Sequence, residues 1–462
     1  MALNVVIMAA GKGTRMRSAR PKVLHTLAGR SLLEHVLGRA ARLQALQTLV
    51  ITGHGAEQVE ASVGAAAQCV RQQPQLGTGH AIQQVAPVLD EAAATTLILN
   101  GDVPLIEPAT AAALAQACGG QRLALLTVTL DDATGYGRIV RNAAGQNVLA
   151  IVEHKDASPE QRAIREVYTG MMAAPTALLK QWVMALDNQN AQGEYYLTDI
   201  VAMAVAQGVP VVATPAADEV EVLGVNSPAQ LADLERRLQR RQADALLEAG
   251  VRLADPARLD VRGTLTCGQD VDIDVNCVFE GQVSLGNGVK IGANCVIRNA
   301  VIGDGVVVHP FCHLDGDQDG VRVGAGSLIG PYARLRPGAR LGAEVHIGNF
   351  VEVKNATLAD GAKANHLAYL GDATVGERVN FGAGSITANY DGAHKHRTTI
   401  GADVHVGSNC VLIAPVTIGE GGTIGGGSTI AQDTPAGQLT VARAKQVSLA
   451  GWKRPVKAPK KA

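Results

Sequence analysis

The sequence has few aromatic residues and almost no net charge, and both features argue against a nucleic-acid partner. Aromatic side chains make up 3% of the 462 residues, and 41 Lys and Arg nearly balance 42 Asp and Glu. A protein that binds a nucleic-acid polymer usually presents a basic surface with aromatic rings on which bases stack. We therefore expect no nucleic-acid partner.

The cysteines and the apolar runs exclude further classes. The seven cysteines are scattered and never form a C-x-x-C pair, so neither a disulfide framework nor a zinc site is indicated. No apolar run approaches the roughly 20 residues that a membrane span needs, and the first residues, MALNVVIMAAGKGT, lack the basic leader of a signal peptide. We expect no membrane span and a cytoplasmic location.

The length and a change of pattern predict two domains. A chain of 462 residues exceeds one ordinary core. Up to about Leu223, short apolar runs alternate with helical patterns, which predicts a Rossmann-like α/β domain with a mostly parallel sheet. Ser227 as N-cap, Pro228 at the first helical position and Gly250 as a stop then predict a linker helix. We predict domains at 1–228 and 250–462, the latter ending in a basic tail, and a linker at 229–249.

The second half carries an internal repeat of six residues. A helix cannot sustain this period, because at 3.6 residues per turn the apolar positions would drift around its surface. A solenoid can, with each hexad forming a short strand and a corner. Small or β-branched residues follow four positions after the aliphatic ones, for example at Ser327 and Thr357. The repeating aliphatic residues are Val323, Ile329, Leu335, Leu341, Ile347 and Val353, then Ile400, Val406, Leu412, Ile418, Ile424 and Ile430, with a weaker early register at Ile273, Phe279, Leu285, Ile291 and Ile297.

Two segments interrupt the repeat. They lie around residues 309–320 and 387–397. Insertions in a solenoid form protruding loops, and such loops commonly carry binding functions. We interpret the first segment as a tolerated surface excursion and leave a binding role open for the second.

The first loop of the α/β domain favours a phosphate site. Gly11 and Gly13 allow close approach of the backbone, Lys12, Arg15 and Lys22 add positive charge, and the N-terminus of a following helix would favour an anion. Asp102 ends a predicted strand at the sheet edge where α/β proteins bind ligands, and a carboxylate there suits magnesium bridging phosphates.

A series of motifs in one order gives the chain a family resemblance. They are M-A-A-G-K-G-T-R-M, P-K, Q-L-G-T-G-H-A, G-D-V-P-L, G-Y-G-R-I, V-E-H-K-D and G-E-Y-Y-L-T-D. These motifs resemble the sugar-nucleotide pyrophosphorylases. Together with the hexads, nearly the whole chain resembles the bacterial bifunctional N-acetylglucosamine-1-phosphate uridyltransferase/glucosamine-1-phosphate acetyltransferases. The resemblance implies a left-handed parallel β-helix and a homotrimer with acetyltransferase sites between subunits.

The resemblance implies a uridyl-transfer site in the first domain. UTP is the co-substrate, Asp102 and Asn226 would ligate Mg²⁺, and Arg15 and Lys22 would offset developing charge. Tyr168 stands where the family commonly has Asn. The implied UTP and UDP-N-acetylglucosamine contacts are Ala10, Gly11, Lys12, Gly13, Lys22, Gln72, Gly77, Thr78, Asn100, Gly101, Asp102, Gly137, Glu153, Tyr168 and Asn226.

The resemblance implies an acetyl-transfer site in the second domain. His366 would be the general base, because an imidazole has a pKa near working pH, and Glu352 would orient the base or the amine. Glucosamine-1-phosphate would contact Arg336, Lys354, Tyr369, Asn380, Asn389 and Tyr390. Acetyl-CoA would contact Ala383, Ser408, Gly426 and Arg443, with Gly426 replacing a usual alanine.

Three functions remain open from the sequence. The first is a bifunctional enzyme that makes UDP-N-acetylglucosamine for peptidoglycan and lipid A synthesis. The second is a sugar-nucleotide pyrophosphorylase whose β-helix binds an effector, and the third is a β-helix that serves only as a scaffold for oligomerisation. His366 with Arg336 and Lys354 favours the first, because a regulatory solenoid has no need of them.

Overall fold

The computed structural model describes residues 2–142, 144–145, 147–190 and 192–457. The end of the predicted basic tail, 458–462, lies outside these ranges. The chain forms two compact units that divide between Arg241 and Gln242. Among the described residues, no helix has the length and apolar character needed to cross a membrane.

The first unit contains a nine-stranded sheet in the order β11-β7-β10-β6-β1-β4-β5, to which β8 and β9 are attached through β10. Its pairings are parallel except those of β10 with its neighbours and of β8 with β9. Two further strands, β2 and β3, form a separate antiparallel pair. The strands of this unit are β1 Leu3–Met8, β2 Thr26–Leu27, β3 Arg30–Ser31, β4 Gln47–Thr52, β5 Gln68–Arg71, β6 Thr95–Asn100, β7 Leu123–Thr129, β8 Gly137–Arg141, β9 Val148–Val152, β10 Glu166–Pro175 and β11 Val211–Pro215. The helices are α1 Leu32–Ala41, α2 Ala56–Val63, α3 Thr78–Val85, α4 Pro108–Cys118, α5 Pro159–Arg162, α6 Thr176–Met184, α7 Ile200–Ala206 and α8 Pro228–Glu248.

The sheet of the first unit is buried on both faces. Val5 and Ile7 of β1 pack into one apolar cluster, and Val6 between them packs into another on the opposite face. Alternate residues of a strand point to opposite faces, so a strand covered on both sides reads as a continuous apolar run. The predicted α/β class with a mostly parallel sheet is confirmed.

The linker helix α8 begins as its sequence predicts. The Ser227 hydroxyl accepts a hydrogen bond from the Gln230 N–H at 3.3 Å, and the Gln230 Oε1 accepts from the Asn226 N–H at 2.9 Å. Leu234 is buried, with Leu231 and Leu238 packed beside it. The start of the helix therefore also fixes the backbone of Asn226. The limits of the two functional domains stay a prediction.

The second unit is a parallel β-helix with three strands per coil. One face is an 11-stranded sheet, and the other two faces join through β15 and β17 into a 16-stranded sheet. The strands are β12 Arg252–Leu253, β13 Leu259–Cys267, β14 Asp272–Ile273, β15 Cys277–Leu285, β16 Lys290–Ile291, β17 Val296–Ile302, β18 Val307–Val308, β19 His313–Asp315, β20 Val321–Val323, β21 Leu328–Ile329, β22 Arg334–Leu335, β23 Arg340–Leu341, β24 His346–Asn349, β25 Glu352–Lys354, β26 Thr357–Leu358, β27 Lys363–His366, β28 Tyr369–Gly371, β29 Ala373–Val375, β30 Asn380–Phe381, β31 Ile386–Ala388, β32 Thr398–Ile400, β33 His405–Val406, β34 Val411–Ile413, β35 Val416–Ile418, β36 Thr423–Ile424, β37 Thr429–Ile430 and β38 Leu439–Thr440.

The hexad positions form the interior of this helix. All the repeating aliphatic residues predicted from the sequence are buried, so the predicted parallel β-helix is confirmed, while its left-handed winding stays a prediction. Glycine is required at corners where coils stack closely, because a Cβ on Gly348 would lie 1.9 Å from the carbonyl oxygen of Asn365 in the next coil. One position differs from the repeat: Ala356 is buried and Thr357 is exposed. The cause is a coil shortened to 17 residues, in which Leu341 pairs with Leu358.

The second interruption of the repeat is a loop inserted between stacked coils. Val375 pairs with Ile400 although 25 residues separate them, and the coil continues in register beyond the loop. The loop is closed at its base by the His396 N–H, which donates to the Asn389 carbonyl oxygen at 2.9 Å, and by a bridge between Tyr390 and Lys395.

Candidate active sites

The first candidate site lies at the carboxyl ends of β1 and β6 in the first unit. Met8 and Asn100 end these strands side by side, and the loop that follows β1 borders a cavity of about 470 Å³. The predicted residues that line it are Ala10, Gly11, Lys12, Lys22, Gln72, Gly77, Thr78, Asn100 and Asp102. Gly13 packs against Lys22, where a Cβ would lie 2.6 Å from the Lys22 Cβ, and the Gly101 N–H donates to the Met8 carbonyl oxygen at 2.9 Å.

The prediction of a helix directly after the glycine loop is wrong. The structure has only a 3-10 turn at Thr14–Met16, ended by Arg17 in the left-handed conformation, and the first α-helix begins at Leu32. Three residues align few peptide dipoles, so the side chains of Lys12 and Lys22 must supply most of the positive charge. Arg15 is exposed on this turn, outside the lining of the cavity.

Lys22 brings the two predicted magnesium ligands together. Its Nζ forms a salt bridge with Asp102 Oδ2 and donates to Asn226 Oδ1 at 3.0 Å. A carboxylate oxygen and an amide oxygen that already face one cation are ligands of the type that magnesium takes. Among the described residues, no cluster of three or more His, Cys, Asp or Glu could hold a metal ion.

A smaller cavity of about 260 Å³ adjoins the first and shares Met8, Thr78 and Asn100 with it. Gly137, Glu153 and Tyr168 line this cavity. Strand β10 has a bulge between Tyr168 and Met172. Gly170 within it has φ 87° and lies against the Asn100 side chain, so any Cβ there would displace Asn100.

The groups in the smaller cavity have perturbed pKa values. Burial raises the pKa of Glu153, and the charges of Asp156 and Asp199 add to this effect. Burial also raises the pKa of Tyr168, as does the charge of Glu153. The Tyr168 hydroxyl is buried and has no hydrogen-bond partner among the described residues. A buried hydroxyl without a partner is costly, so a ligand that pairs with it gains affinity.

The side-chain amide of Gln72 is oriented from two sides. Its Nε2 donates to the Gly77 carbonyl oxygen at 2.9 Å and lies 3.2 Å from His80 Nδ1. Burial lowers the pKa of His80, which favours the neutral ring that can accept this bond. The Oε1 of Gln72 is thereby left to accept a hydrogen bond from a ligand.

The second candidate site lies on the β-helix around His366, which ends β27 and is exposed. Its Nδ1 is 2.9 Å from Asn349 Oδ1. Because a carbonyl oxygen only accepts, Nδ1 carries the proton and Nε2 is free to act as a base. Our reading of the sequence missed Asn349, although it lies 17 residues before His366 and therefore one coil away.

Three cationic side chains lie close together on the neighbouring face, which belongs to the 16-stranded sheet. Arg336 and Lys354 are joined by Lys395 from the inserted loop, a residue that the sequence reading also missed. The ammonium of Lys395 lowers the pKa of Lys354, with smaller contributions from burial and Arg336, while Asp372 opposes the change. Glu352 accepts from Arg336 Nη1 at 2.8 Å and from Arg334 at 3.4 Å. The structure thus pairs Glu352 with arginines, and Asn349 orients His366.

The predicted acetyl-CoA contacts follow His366 along one corner of the helix. The Gly384 N–H donates to the His366 carbonyl oxygen at 3.2 Å, and the carbonyl oxygens of Ala383 and Ser408 accept from the next coils at 2.7 and 2.8 Å. Arg443 Nη1 donates to the Gly426 carbonyl oxygen at 2.5 Å. The four residues therefore lie in one column that begins in the coil next to His366.

Of the remaining predicted residues, Tyr369, Asn389 and Tyr390 lie on or beside the 16-stranded sheet, and Asn380 lies on the 11-stranded one. Tyr369 stacks on Glu352 in register, and Asn389 Nδ2 lies 3.5 Å from the Tyr369 hydroxyl. Tyr390 is 62% exposed and donates its hydroxyl proton to the Gly392 carbonyl oxygen at 2.6 Å. Asn380 lies on the 11-stranded sheet, whereas Tyr369 belongs to the 16-stranded one, so the chain does not bring Asn380 onto the face that holds the cations.

Comparison with known proteins assigns both units. The MobA-like NTP transferase domain family matches residues 5–252, and the bacterial transferase hexapeptide family (six repeats) matches 320–355 and 397–432. Proteins named bifunctional protein GlmU are similar over almost their whole length. The one from Methylibium petroleiphilum is 73% identical over 98% of this chain and 99% of its own. Those from a Polaromonas species and Burkholderia vietnamiensis are 68% and 58% identical, over 99% and 98% of this chain and 99% of each relative. This chain therefore belongs to the GlmU family of bifunctional proteins.

Proposed function

We propose that the chain makes UDP-N-acetylglucosamine by two reactions, one in each unit. The second unit acetylates glucosamine-1-phosphate with acetyl-CoA, and the first then transfers a uridylyl group from UTP to N-acetylglucosamine-1-phosphate. The observation that carries this proposal is an oriented imidazole on one face of the β-helix, with a group of three cations on the neighbouring face. A purely regulatory or scaffolding β-helix has no use for that arrangement.

In the acetyl transfer, the substrate amine attacks the thioester carbon. The amine loses a proton to Nε2 of His366, which Asn349 holds in the required tautomer. The new C–N bond forms as the C–S bond breaks, and the coenzyme A thiolate leaves with the electron pair and takes up a proton. Arg336, Lys354 and Lys395 would hold the sugar phosphate, since ammonium and guanidinium groups recognise phosphate oxygens.

In the uridylyl transfer, a phosphate oxygen of the sugar attacks the α-phosphorus of UTP, and pyrophosphate leaves. Positioning and electrostatics supply most of the catalysis in such transfers. Gln72 would present its Oε1 to the base, and Lys12 and Lys22 would face the phosphates. Asp102 and Asn226 would hold magnesium, which would supply positive charge beside the phosphates. Glu153 and Tyr168 would contact the sugar.

The proposal extends to assembly and location. We infer a homotrimer with acetyl-transfer sites between subunits, because Asn380 and His366 lie on the 11-stranded face whereas Lys354 lies on the 16-stranded one, and packing of subunits can bring the two faces together. Flat β-helix faces suit packing about a threefold axis. The expected location remains cytoplasmic, where the product would serve peptidoglycan and lipid A synthesis.

One experiment separates the bifunctional enzyme from the other two functions that the sequence leaves open. Purified protein is given glucosamine-1-phosphate and acetyl-CoA, and free thiol is followed over time. Pyrophosphate release from UTP and N-acetylglucosamine-1-phosphate is measured in parallel. We expect both signals, and pyrophosphate without thiol would instead support a pyrophosphorylase with a regulatory or scaffolding β-helix.

A further inference from the structure

A buried carboxylate lies beside the cationic cluster of the second unit and has no role in the function proposed above. Asp372 is 7% exposed and follows β28. Its N–H donates to the Lys354 carbonyl oxygen, and its carbonyl oxygen accepts from the Thr398 N–H, both at 3.1 Å. Asp372 is thus tied to the coil before the inserted loop and to the strand after it. Burial of a charge is costly unless the charge is paired and hydrogen-bonded.

Two side-chain amides hold the carboxylate. Asn355 Nδ2 donates to Asp372 Oδ1 at 2.5 Å, and Asn389 Nδ2 donates to Asp372 Oδ2. An ionised carboxylate only accepts hydrogen bonds, so both amides must turn their NH₂ groups toward it. Because the NH₂ of Asn389 also faces the Tyr369 hydroxyl, its Oδ1 is the atom left to meet a substrate.

The Asp372 carboxylate also raises the pKa of Lys354. The neighbouring Lys395 lowers the pKa of Lys354, with burial and Arg336 adding, and Asp372 raises it. Glu352, the other acid on this face, is already engaged by Arg336 and Arg334. Asp372 is therefore the carboxylate that favours a charged Lys354 close to two other cations.

We propose that Asp372 is a positioning residue for the sugar phosphate, a role that rests on the acetyl transfer proposed above. It holds the Asn389 amide in one orientation, and it places a negative charge close to Lys354 in the phosphate grip. It acts through these neighbours and does not touch the substrate itself.

An asparagine at this position cannot do the same, although it has the same shape. Its side chain offers one acceptor and one donor, so its NH₂ must face the NH₂ of either Asn355 or Asn389. If Asn389 turns over to relieve this contact, it presents a donor to the substrate where it formerly presented an acceptor. The substitution also removes the negative charge near Lys354.

The test compares Asp372→Asn with the wild type in the full chain. Thiol release is measured against glucosamine-1-phosphate concentration from neutral to alkaline pH. We expect KM for this substrate to rise about tenfold, the usual effect of losing one charge-assisted hydrogen bond. The alkaline increase in KM should also begin at lower pH, because Lys354 loses its proton sooner. Pyrophosphate release from UTP should stay within twofold of the wild type.

Asp304→Asn is the matched control. Asp304 accepts from the Asn287 N–H at 2.7 Å and from its Nδ2 at 3.4 Å, so it repeats the contact between Asp and Asn in an earlier coil. Its variant should keep the wild-type KM and pH profile. The double variant Asp372→Asn with Asn355→Ala frees the new amide to accept from Asn389. It should recover part of the lost affinity while the alkaline shift persists. It also removes the contact between two donors that would disfavour folding of the single variant.

Three results would overturn the inference. The first is that Asp372→Asn keeps the wild-type KM and pH profile. The second is that Asp372→Asn lowers the melting temperature but leaves the KM and the pH profile unchanged. The third is that Asp372→Asn and Asp304→Asn change the KM and the pH profile equally. Absence of thiol release by the wild type would instead contradict the acetyl transfer itself, so the two failures are distinguishable.

Discussion

The two units build their sites by different routes through the chain. In the first unit, Lys22, Asp102 and Asn226 meet although up to 204 positions separate them, because loops from several strands converge at one sheet edge. In the second unit, Asn349 and His366 meet because one coil separates them. A site of the first kind depends on the whole fold, whereas a site of the second kind depends on a few adjacent coils. The comparison predicts that each activity can be removed without the other.

Replacement of His366 by alanine should give the largest separation. General-base catalysis contributes about 10²- to 10⁴-fold, so thiol release should fall by that factor. Release of pyrophosphate from UTP should remain near the wild-type rate. The control is His313→Ala, which should leave both rates unchanged. His313 is exposed and lies three coils away from Tyr369 on the same face. Loss of both activities in His366→Ala would contradict independent sites.

Replacement of Asp102 by alanine tests the opposite separation. Pyrophosphate release should fall by about 10²-fold or more even at saturating magnesium, because an ion-binding carboxylate near the phosphates is lost. Thiol release should not change. The control is Asp131→Ala, whose side chain is 97% exposed and pairs with Arg165. Retained pyrophosphate release in Asp102→Ala would refute the metal assignment.

Replacement of Asn349 by alanine tests whether adjacent coils suffice to orient the base. Groups that fix the orientation of a functional imidazole are worth roughly 10- to 100-fold in metal sites, and we expect a loss of thiol release in that range. The loss should lie in kcat, since Asn349 contacts the base and not the sugar phosphate. An increase in KM alone would show that Asn349 acts on binding.

Replacement of Tyr168 by phenylalanine should have the smallest effect. The Tyr168 hydroxyl lacks a partner in the absence of ligand, so its removal should leave the melting temperature unchanged or raise it. The KM for N-acetylglucosamine-1-phosphate should rise about fivefold to tenfold, as expected for one lost hydrogen bond. An unchanged KM with a lowered melting temperature would show that the hydroxyl is structural.

The β-helix could be predicted from the sequence more fully than its site. A period of six residues marks the interior directly, and every repeating aliphatic residue is buried. The first run ends at Val353, and the next large buried aliphatic residue, Leu358, follows after five positions and not six. This shortening turns Ala356 inward and Thr357 outward. Asn349, Lys395 and Asp372 escaped notice because stacking, and not proximity along the chain, brings them to His366 and Lys354.

In the first unit the motifs predicted most of the lining of the cavity but not the structure after the glycine loop. The loop sequence is compatible with either a helix or a short turn, and Arg17 in the left-handed conformation ends the turn after three residues. The partners of Asn100 and Gln72, Gly170 and His80, come from other strands and helices. Such contacts depend on tertiary packing, which a pattern in one segment does not encode.

The loop that carries Lys395 enters and leaves the coil stack at residues that remain in register with each other. Val375 and Ile400 are register partners in neighbouring strands on either side of the loop. The register of the coils therefore leaves the length of this segment unconstrained, and the pairing that holds the coils together lies outside it.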